Sequence, residues 1–331
     1  MQKIIEVEHI VKKFGDLVAV DDVSFEVKEG EIFGFLGPNG AGKTTTINIL
    51  CTLMKPTSGR ATLNGFDVVH QQNEVRKSLG LVFQDPSLDI KLSALQNLEF
   101  HAGIYSIPRS VRQKRIEEIM KMVDLWDRRK DMVQHFSGGM RRRLEIGRGL
   151  LHYPRVLFLD EPTLGLDPQT RFYIWSYILD LRKRENITVF LTTHYMDEAT
   201  VADRIAIIDQ GRIIALDTPD ALKRMVGGDI VTLKTDDAEV AMAEILEQYN
   251  IEAQRGSEGI FFEVQNGEEF IPTLVNNFKS GLHSISVHRP TLDDVFMKLT
   301  GREIREEEGG EAVMKKMWAM RSARGGAGKF H

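Results

Sequence analysis

The chain has 331 residues, 42% of them hydrophobic and 27% charged, with a formal net charge of −5. That length suits two domains better than one core, and the mild acidity excludes a global basic field of the kind that binds nucleic acid or anionic lipid. No apolar run reaches the roughly 18 residues of a spanning helix, and the single cysteine, Cys51, excludes an internal disulfide and fits a reducing cytosol.

In chain order, the N-terminus carries acids and lacks the pattern of a signal peptide. Phe14 is followed by Gly15 and Asp16, a turn pair that favours an exposed ring over a core one. Ile32–Leu36 is a short apolar run of buried-strand type. The next residues, Gly37, Pro38, Asn39, Gly40, Ala41, Gly42, Lys43 and Thr44, match G-x-x-x-x-G-K-[ST], the phosphate-binding loop. Glycines let a backbone curl around phosphate oxygens, and the helix expected over Thr44–Leu53 points free N–H groups and its positive dipole end at them. Lys43 then neutralises the outer phosphates and the Thr44 hydroxyl holds Mg²⁺. A nucleoside triphosphate is the expected ligand.

A second apolar strand, Leu79–Phe83, ends beside Gln84, whose amide could reach Mg²⁺ or a lytic water, or be an ordinary loop glutamine. From about Pro86 to Gln134 the pattern is helical. One segment holds Asn97, Leu98, Phe100 and His101, and Val111–Val123 is amphipathic with Ile116, Ile119, Met120 and Val123 on one face. Ser137 is a good N-cap, and Gly138 and Gly139 leave the first backbone N–H groups of its helix bare, so this is another anion-binding helix start. One domain does not need two such cradles, so this one is expected to serve a nucleotide on another copy. The run Arg141–Arg143 reads as a basic helix face at that nucleotide interface.

Val156–Asp160 is an apolar strand ending in a carboxylate, where open α/β sheets place their ligand chemistry. Asp160 is a candidate Mg²⁺ holder. Glu161 is a candidate general base, with Pro162 fixing the turn. Asp167, before Pro168, has the pattern of an N-cap. His194 closes the β-rich run Ile187–Thr193. Arg204–Asp217 is a hairpin turning at Gln210 and Gly211, and Thr218 and Pro219 open a helix. After Gly227 and Gly228 come a strand over Ile230–Lys234, a helix over Ala238–Gln248, a strand over Gly259–Val264, a helix over Glu268–Phe278, a strand over Ser284–His288 and a last helix over Leu292–Leu299. Thr291 and Asp294 have capping-box spacing. From about Arg302 the chain is charged and glycine-rich, the composition of a flexible tail, with Met314–Met320 as a short amphipathic segment inside it.

These motifs, in this order, resemble the ATP-binding subunit of an ABC transporter. The signature Phe136–Met140, the following Arg-Arg-Arg-Leu-Glu-Ile and the ending around Arg289–Phe296 resemble the daunorubicin-resistance type of exporter ATPase. The resemblance implies an α/β fold, a P-loop NTPase cassette with a mixed sheet core and a helical subdomain at about 86–150, spanning 1–225. A small α+β domain over 226–301, for which a ferredoxin-like arrangement is one option, and a tail over 302–331 follow. It implies ATP and Mg²⁺ as cofactors, with Phe14 stacking on adenine, residues Gly37–Thr44 and Thr45 around the phosphates, and Lys43, Gln84, Glu161 and His194 as the hydrolytic set. Thr44, Gln84 and Asp160 are the implied metal holders. Ser137, Gly138, Gly139 and Asp167 act on a nucleotide held by a second copy or a closely related cassette. The implied partners are integral membrane permease subunits, which would hold the chain at the inner face of the cell membrane. Asp85, Pro86, Leu88 and Ile90 are the expected lining of the permease groove. No nucleic acid is expected. A soluble ABC ATPase acting on nucleic acid or ribosomes, and an importer ATPase, are the rival readings. The chain departs from the usual Leu-Ser-Gly-Gly-Gln signature at Phe136 and Met140, which leaves open any polar contact the glutamine would make.

Overall fold

The computed structural model describes residues 2–85, 87–256 and 259–301. β1 (Lys3–Phe14) and β2 (Leu17–Lys28) form a long antiparallel hairpin, turning at Gly15 with φ +57°. β3 (Ile32–Leu36) leads through the glycine loop into α1 (Lys43–Leu50). β4 (Ser58–Leu63) and β5 (Phe66–Asp67) return to the hairpin and complete a four-stranded sheet of order β2-β1-β4-β5. The helix after the loop is shorter than its periodicity suggests. It ends at Leu50 because Thr52 takes a left-handed φ of +62°, and Leu53 is left exposed.

α2 (Gln72–Ser78) and β6 (Leu79–Val82) precede a helical insert of α3 (Ala94–Ile104), α4 (Arg109–Met122) and α5 (Gly138–Gly149). Ser93 and Gln96 close a capping box on α3, which satisfies two end N–H groups that would otherwise lack partners. The chain then returns as β7 (Val156–Asp160), α6 (Pro168–Glu185), β8 (Thr188–Thr193), the short α7 (Met196–Ala199), β9 (Arg204–Asp209) and β10 (Arg212–Asp217). The second sheet runs β10-β9-β3-β8-β7-β6, parallel except for the edge strand β10.

The continuous apolar runs of β3, β7 and β8 follow from burial on both faces. Ile32, Leu36, Leu157, Leu159, Val189 and Leu191 face the helical side. Phe33, Phe35, Phe158 and Phe190 face the antiparallel sheet. There, with Phe25, they form a ring cluster with centroids 5.2 to 5.9 Å apart, a spacing at which aromatic pairs attract beyond their area burial.

α8 (Pro219–Arg224), capped by Thr218, leads to β11 (Asp229–Thr235), α9 (Ala238–Tyr249), β12 (Gln254–Gly256), β13 (Gly259–Val264), α10 (Gly267–Asn277), β14 (Leu282–His288) and α11 (Leu292–Thr300). The third sheet is antiparallel, in the order β12-β13-β11-β14. Its own core joins Val231, Leu233, Ile260 and Phe262 to Ala241, Ile245 and Leu274 from the two helices. α11 does not join that core. Its Leu292, Val295 and Phe296 pack into the main cluster with Met196, Ala199 and Leu222. The tail, including Met314–Met320, and Pro86 lie outside the described residues. Of the expected groove lining, Leu88 is buried in the main cluster and Ile90 is exposed.

Candidate nucleotide site

Parallel pairing sets the site. β3 lies beside β8, and β8 beside β7, so the glycine loop, Asp160 and His194 emerge at the same sheet edge. Gly37 has to be glycine, because a Cβ there would collide with the backbone carbonyl of Ile208 on β9. Gly42 sits at φ +107° as the N-cap of α1 and offers no side-chain cap, so the first N–H groups of α1 remain free for an anion. Lys43 is buried, and its ammonium donates to the carbonyl oxygens of Gly37 at 2.7 Å and Pro38 at 3.1 Å.

Lys43 Nζ also stands 3.6 Å from Glu161 Oε1, and His194 Nδ1 approaches the same oxygen at 3.2 Å. Asp160 accepts from Thr192 Oγ1 at 2.5 Å, and the Thr44 hydroxyl lies near it. Glu161 has φ +46°, a left-handed conformation that non-glycine residues hold only where surrounding contacts enforce it. Its N–H donates to the backbone oxygen and the hydroxyl of Thr192, each at 3.2 Å.

The two acids are driven apart electrostatically. Burial pushes the Asp160 carboxyl up, and the Glu161 charge adds to this against the Thr192 hydrogen bond and the nearby Thr44 hydroxyl. Burial also pushes Glu161 up, but the close His194 ring and the Lys43 charge outweigh it and hold Glu161 below the ordinary carboxylate value. Lys43 itself is lowered by burial, partly offset by Glu161 and Asp160. A neighbouring acid kept ionised at neutral pH is suited to accept a proton or orient water.

The structure thus gathers Lys43, Thr44, Asp160, Glu161 and His194. Phe14, Gln84, Ser137, Gly138 and Asp167 stand outside this cluster. Phe14 is exposed at the β1 hairpin turn, with Lys12 Nζ 5.1 Å from its ring centre. Gln84 is exposed on the segment leaving β6. Ser137 caps α5, accepting from Met140 N at 3.2 Å, and Gly139 is held so close to Thr170 that a Cβ would strike its methyl group. Asp167 caps α6, accepting from Thr170 N at 3.0 Å and Thr170 Oγ1 at 2.6 Å. Met140, in place of the signature glutamine, packs toward the core and lines a cavity of about 500 Å³ with Tyr173, Ile174 and Tyr177.

The arginine run differs from the expected basic surface. Arg142 is buried against its own chain, Arg143 pairs with Asp124 at 3.2 Å, and Arg141 donates to Gln134 O at 3.0 Å. Sequence reasoning also passed over Thr192, Thr163 and Glu198. Glu198 is buried and accepts from the hydroxyls of Thr163 and, at 3.0 Å, Thr193. It thereby joins the segment after Glu161 to the residue before His194. In the sequence Glu198 shows only as an acid four residues after a strand-end histidine.

A glycine loop between a buried parallel strand and a helix, with its lysine facing an acid pair on a neighbouring strand, defines a P-loop NTPase. The family model described as ABC transporter matches residues 20–164. The chain is 38% identical over 325 residues to daunorubicin resistance ATP-binding protein DrrA2 of Streptomyces coeruleorubidus, covering 93% of this chain and 98% of that one. It is 35% identical to linearmycin resistance ATP-binding protein LnrL of Bacillus subtilis (91% and 100% covered) and 36% to Nod factor export ATP-binding protein I of Cupriavidus pinatubonensis (92% and 92%). Among solved structures, the dimeric cassette MJ0796 in a post-hydrolysis state bound to ADP and Pi superposes with a TM-score of 0.58 at 28% identity, covering 65% of this chain and 98% of that one. The cbiO1 protein of Clostridium perfringens superposes with a TM-score of 0.64 at 26% identity (76% and 97%). The chain belongs to the ABC transporter ATP-binding proteins, of the daunorubicin-resistance type, and is an ATPase.

Proposed function

We propose that this chain is the ATP-hydrolysing subunit of an ABC exporter, in which two cassettes enclose ATP and separate permease subunits carry the cargo. Among the described residues no helix is long and apolar enough to cross a membrane, so spanning segments would come from other chains. Relatives named for daunorubicin resistance, linearmycin resistance and Nod factor export favour export over import. One phosphate loop and one signature in the chain fit a pair of chains better than a two-cassette protein acting on nucleic acid.

The observation that carries the hydrolytic reading is the approach of His194 and Lys43 to one oxygen of Glu161. In this reading Lys43 moves from the loop carbonyls to the outer phosphates, and Glu161 aligns the attacking water and accepts its proton. His194 holds the Glu161 carboxylate in place and contacts the γ-phosphate. Phe14 stacks on the base, Gly37–Thr45 wrap the phosphates, and Ser137, Gly138, Gly139 and Asp167 of a second cassette close the pocket. The Thr44 hydroxyl and Asp160 carboxyl, which lie close together, are hard oxygen donors of the kind Mg²⁺ takes alongside phosphate and water, and Gln84 is a further candidate holder. Mg²⁺ there would neutralise phosphate charge. A C2 pair uses the same surface on both partners, and nucleotide that touches both favours the closed state.

The test is Glu161→Gln. With saturating Mg-ATP it should bind nucleotide, run as a stable dimer by size exclusion, and lose turnover. A monomeric variant that hydrolyses at the parent rate would refute the assignment.

A further inference from the structure

Arg142 uses every N–H of its guanidinium inside its own chain. Nε donates to Pro162 O at 2.7 Å. Nη1 donates to Phe83 O at 2.6 Å and Glu145 Oε2 at 3.0 Å. Nη2 donates to Asp160 O at 3.1 Å and Glu161 O at 3.2 Å. Three of these acceptors are the consecutive carbonyls around the left-handed Glu161, and the fourth carbonyl immediately precedes Gln84. One helical turn further along α5, Glu145 accepts from Ser87 N at 2.8 Å. A turn beyond that, Arg148 donates to Ser87 O at 2.8 Å and Ser87 Oγ at 2.6 Å. One charged face of α5 therefore holds the backbone beneath the acid pair and both flanks of the Gln84 segment.

We propose that Arg142 is a positioning residue. It ties the orientation of a chain's own Glu161 to the α5 helix that Ser137 caps, so the helix that engages a partner's nucleotide also sets the geometry of the acid acting on the chain's own. Only a planar fork with five donors meets these acceptors, and the buried guanidinium has no route to relax into water. The carbonyls of residues 160–162 have fixed directions, so a shift of α5 turns the Glu161 peptide with it. Reaction rates fall steeply when a reacting group is displaced by even an ångström.

The inference rests on Glu161 being the hydrolytic acid, and the experiment separates the two. Two full-length chains are joined in tandem, one carrying Glu161→Gln so that one pocket does the turnover. Arg142→Lys, which keeps the charge opposite Glu145, is then placed in one half or the other. In the half with intact Glu161 it should lower kcat about 10- to 100-fold while KM for Mg-ATP holds, and the unfolding midpoint should fall by the same amount whichever half carries it, because the buried carbonyls lose donors in either case. In the half with Glu161→Gln it should leave turnover near the parent value. Equal losses of turnover in both arms would mean a general disturbance of the α5 helix and would overturn the proposal, as would unchanged kcat in the first arm. If Arg142→Lys does not fold, Arg142→Gln with Glu145→Gln, which removes both buried charges together, is judged by the same two arms. Full turnover with Glu161→Gln in both halves would instead refute the reading of Glu161.

Discussion

His194 Nδ1 lies 3.2 Å from Glu161 Oε1, although the two residues leave different strands. Parallel pairing of β7 with β8 puts Asp160 opposite Thr192, so the residues that follow each strand come together by register. Burial raises the Glu161 carboxyl, and the adjacent His194 ring and Lys43 bring it below its ordinary value. Removing the imidazole removes the larger of the lowering influences. In His194→Ala the acid limb of the kcat–pH profile should therefore move to higher pH, because Glu161 becomes protonated sooner as pH falls. Neutral-pH turnover should also fall, by at least about 10-fold, within the range of general acid–base effects. The pH profiles of parent and variant check this.

Ser137 caps α5 and, in the proposed pair, would also complete the partner's pocket. As the cap of α5 it contributes about 1 kcal/mol, the usual cost of replacing a capping serine with alanine. As part of a pocket completed in trans it would matter far more to turnover. In a tandem pair, Ser137→Ala in one half should lower the unfolding midpoint modestly and abolish hydrolysis in the opposite pocket. Equal turnover in both pockets would refute the trans role.

Two partly buried histidines should weaken the fold in acid. His101 is half-buried on α3, and burial, with Arg148 nearby, lowers its pKa from 6.5 to about 4. His152 is lowered by burial and by Arg115, against its contact with Leu79 O at 2.8 Å. The unfolded chain takes up these protons first, so their stabilisation is full above pH 6.5 and is lost for His101 as pH falls toward about 4. His101→Gln should flatten the dependence of the unfolding midpoint on pH across that window, as scanning calorimetry would record.

Phe296 anchors α11 in the main core at 1% exposure. Phe296→Ala should destabilise the protein by about 3 to 5 kcal/mol, the usual range for a buried aromatic. Val240→Ala, at 55% exposure on the outer side of α9, should have little effect. Chemical denaturation of the two variants gives the comparison.

Much of the site could be read in advance because its chemistry is local. A phosphate loop announces itself in eight consecutive residues, Gly37–Thr44, and Asp160 and Glu161 are adjacent. After Gly228 the strands β11, β13 and β14 and the helices α9, α10 and α11 lie within a few residues of their expected spans, the short β12 was not expected, and Thr291 with Asp294 forms the expected capping box. What escaped notice is non-local. The hairpin of two 12-residue strands, β1 and β2, carries polar and apolar residues on a register broken by irregularities, which blurs its period. Arg142 sits between two other arginines and gives no hint that it alone turns inward. α11 has the pattern of any amphipathic helix, and periodicity does not say which core an apolar face will join.

The order of residues determined by itself the phosphate loop, the acid pair, the caps at Ser137 and Asp167, and the strands and helices that carry a clear local pattern, because each depends on neighbours a few positions away. Only the tertiary structure decided that His194 and Lys43 would meet at one Glu161 oxygen, that Arg142 would bind three carbonyls around that acid, and that α11 would return to the first core. Those outcomes come from sheet order and burial, where residues far apart in the chain share one low-dielectric space and each buried charge or carbonyl must find a partner.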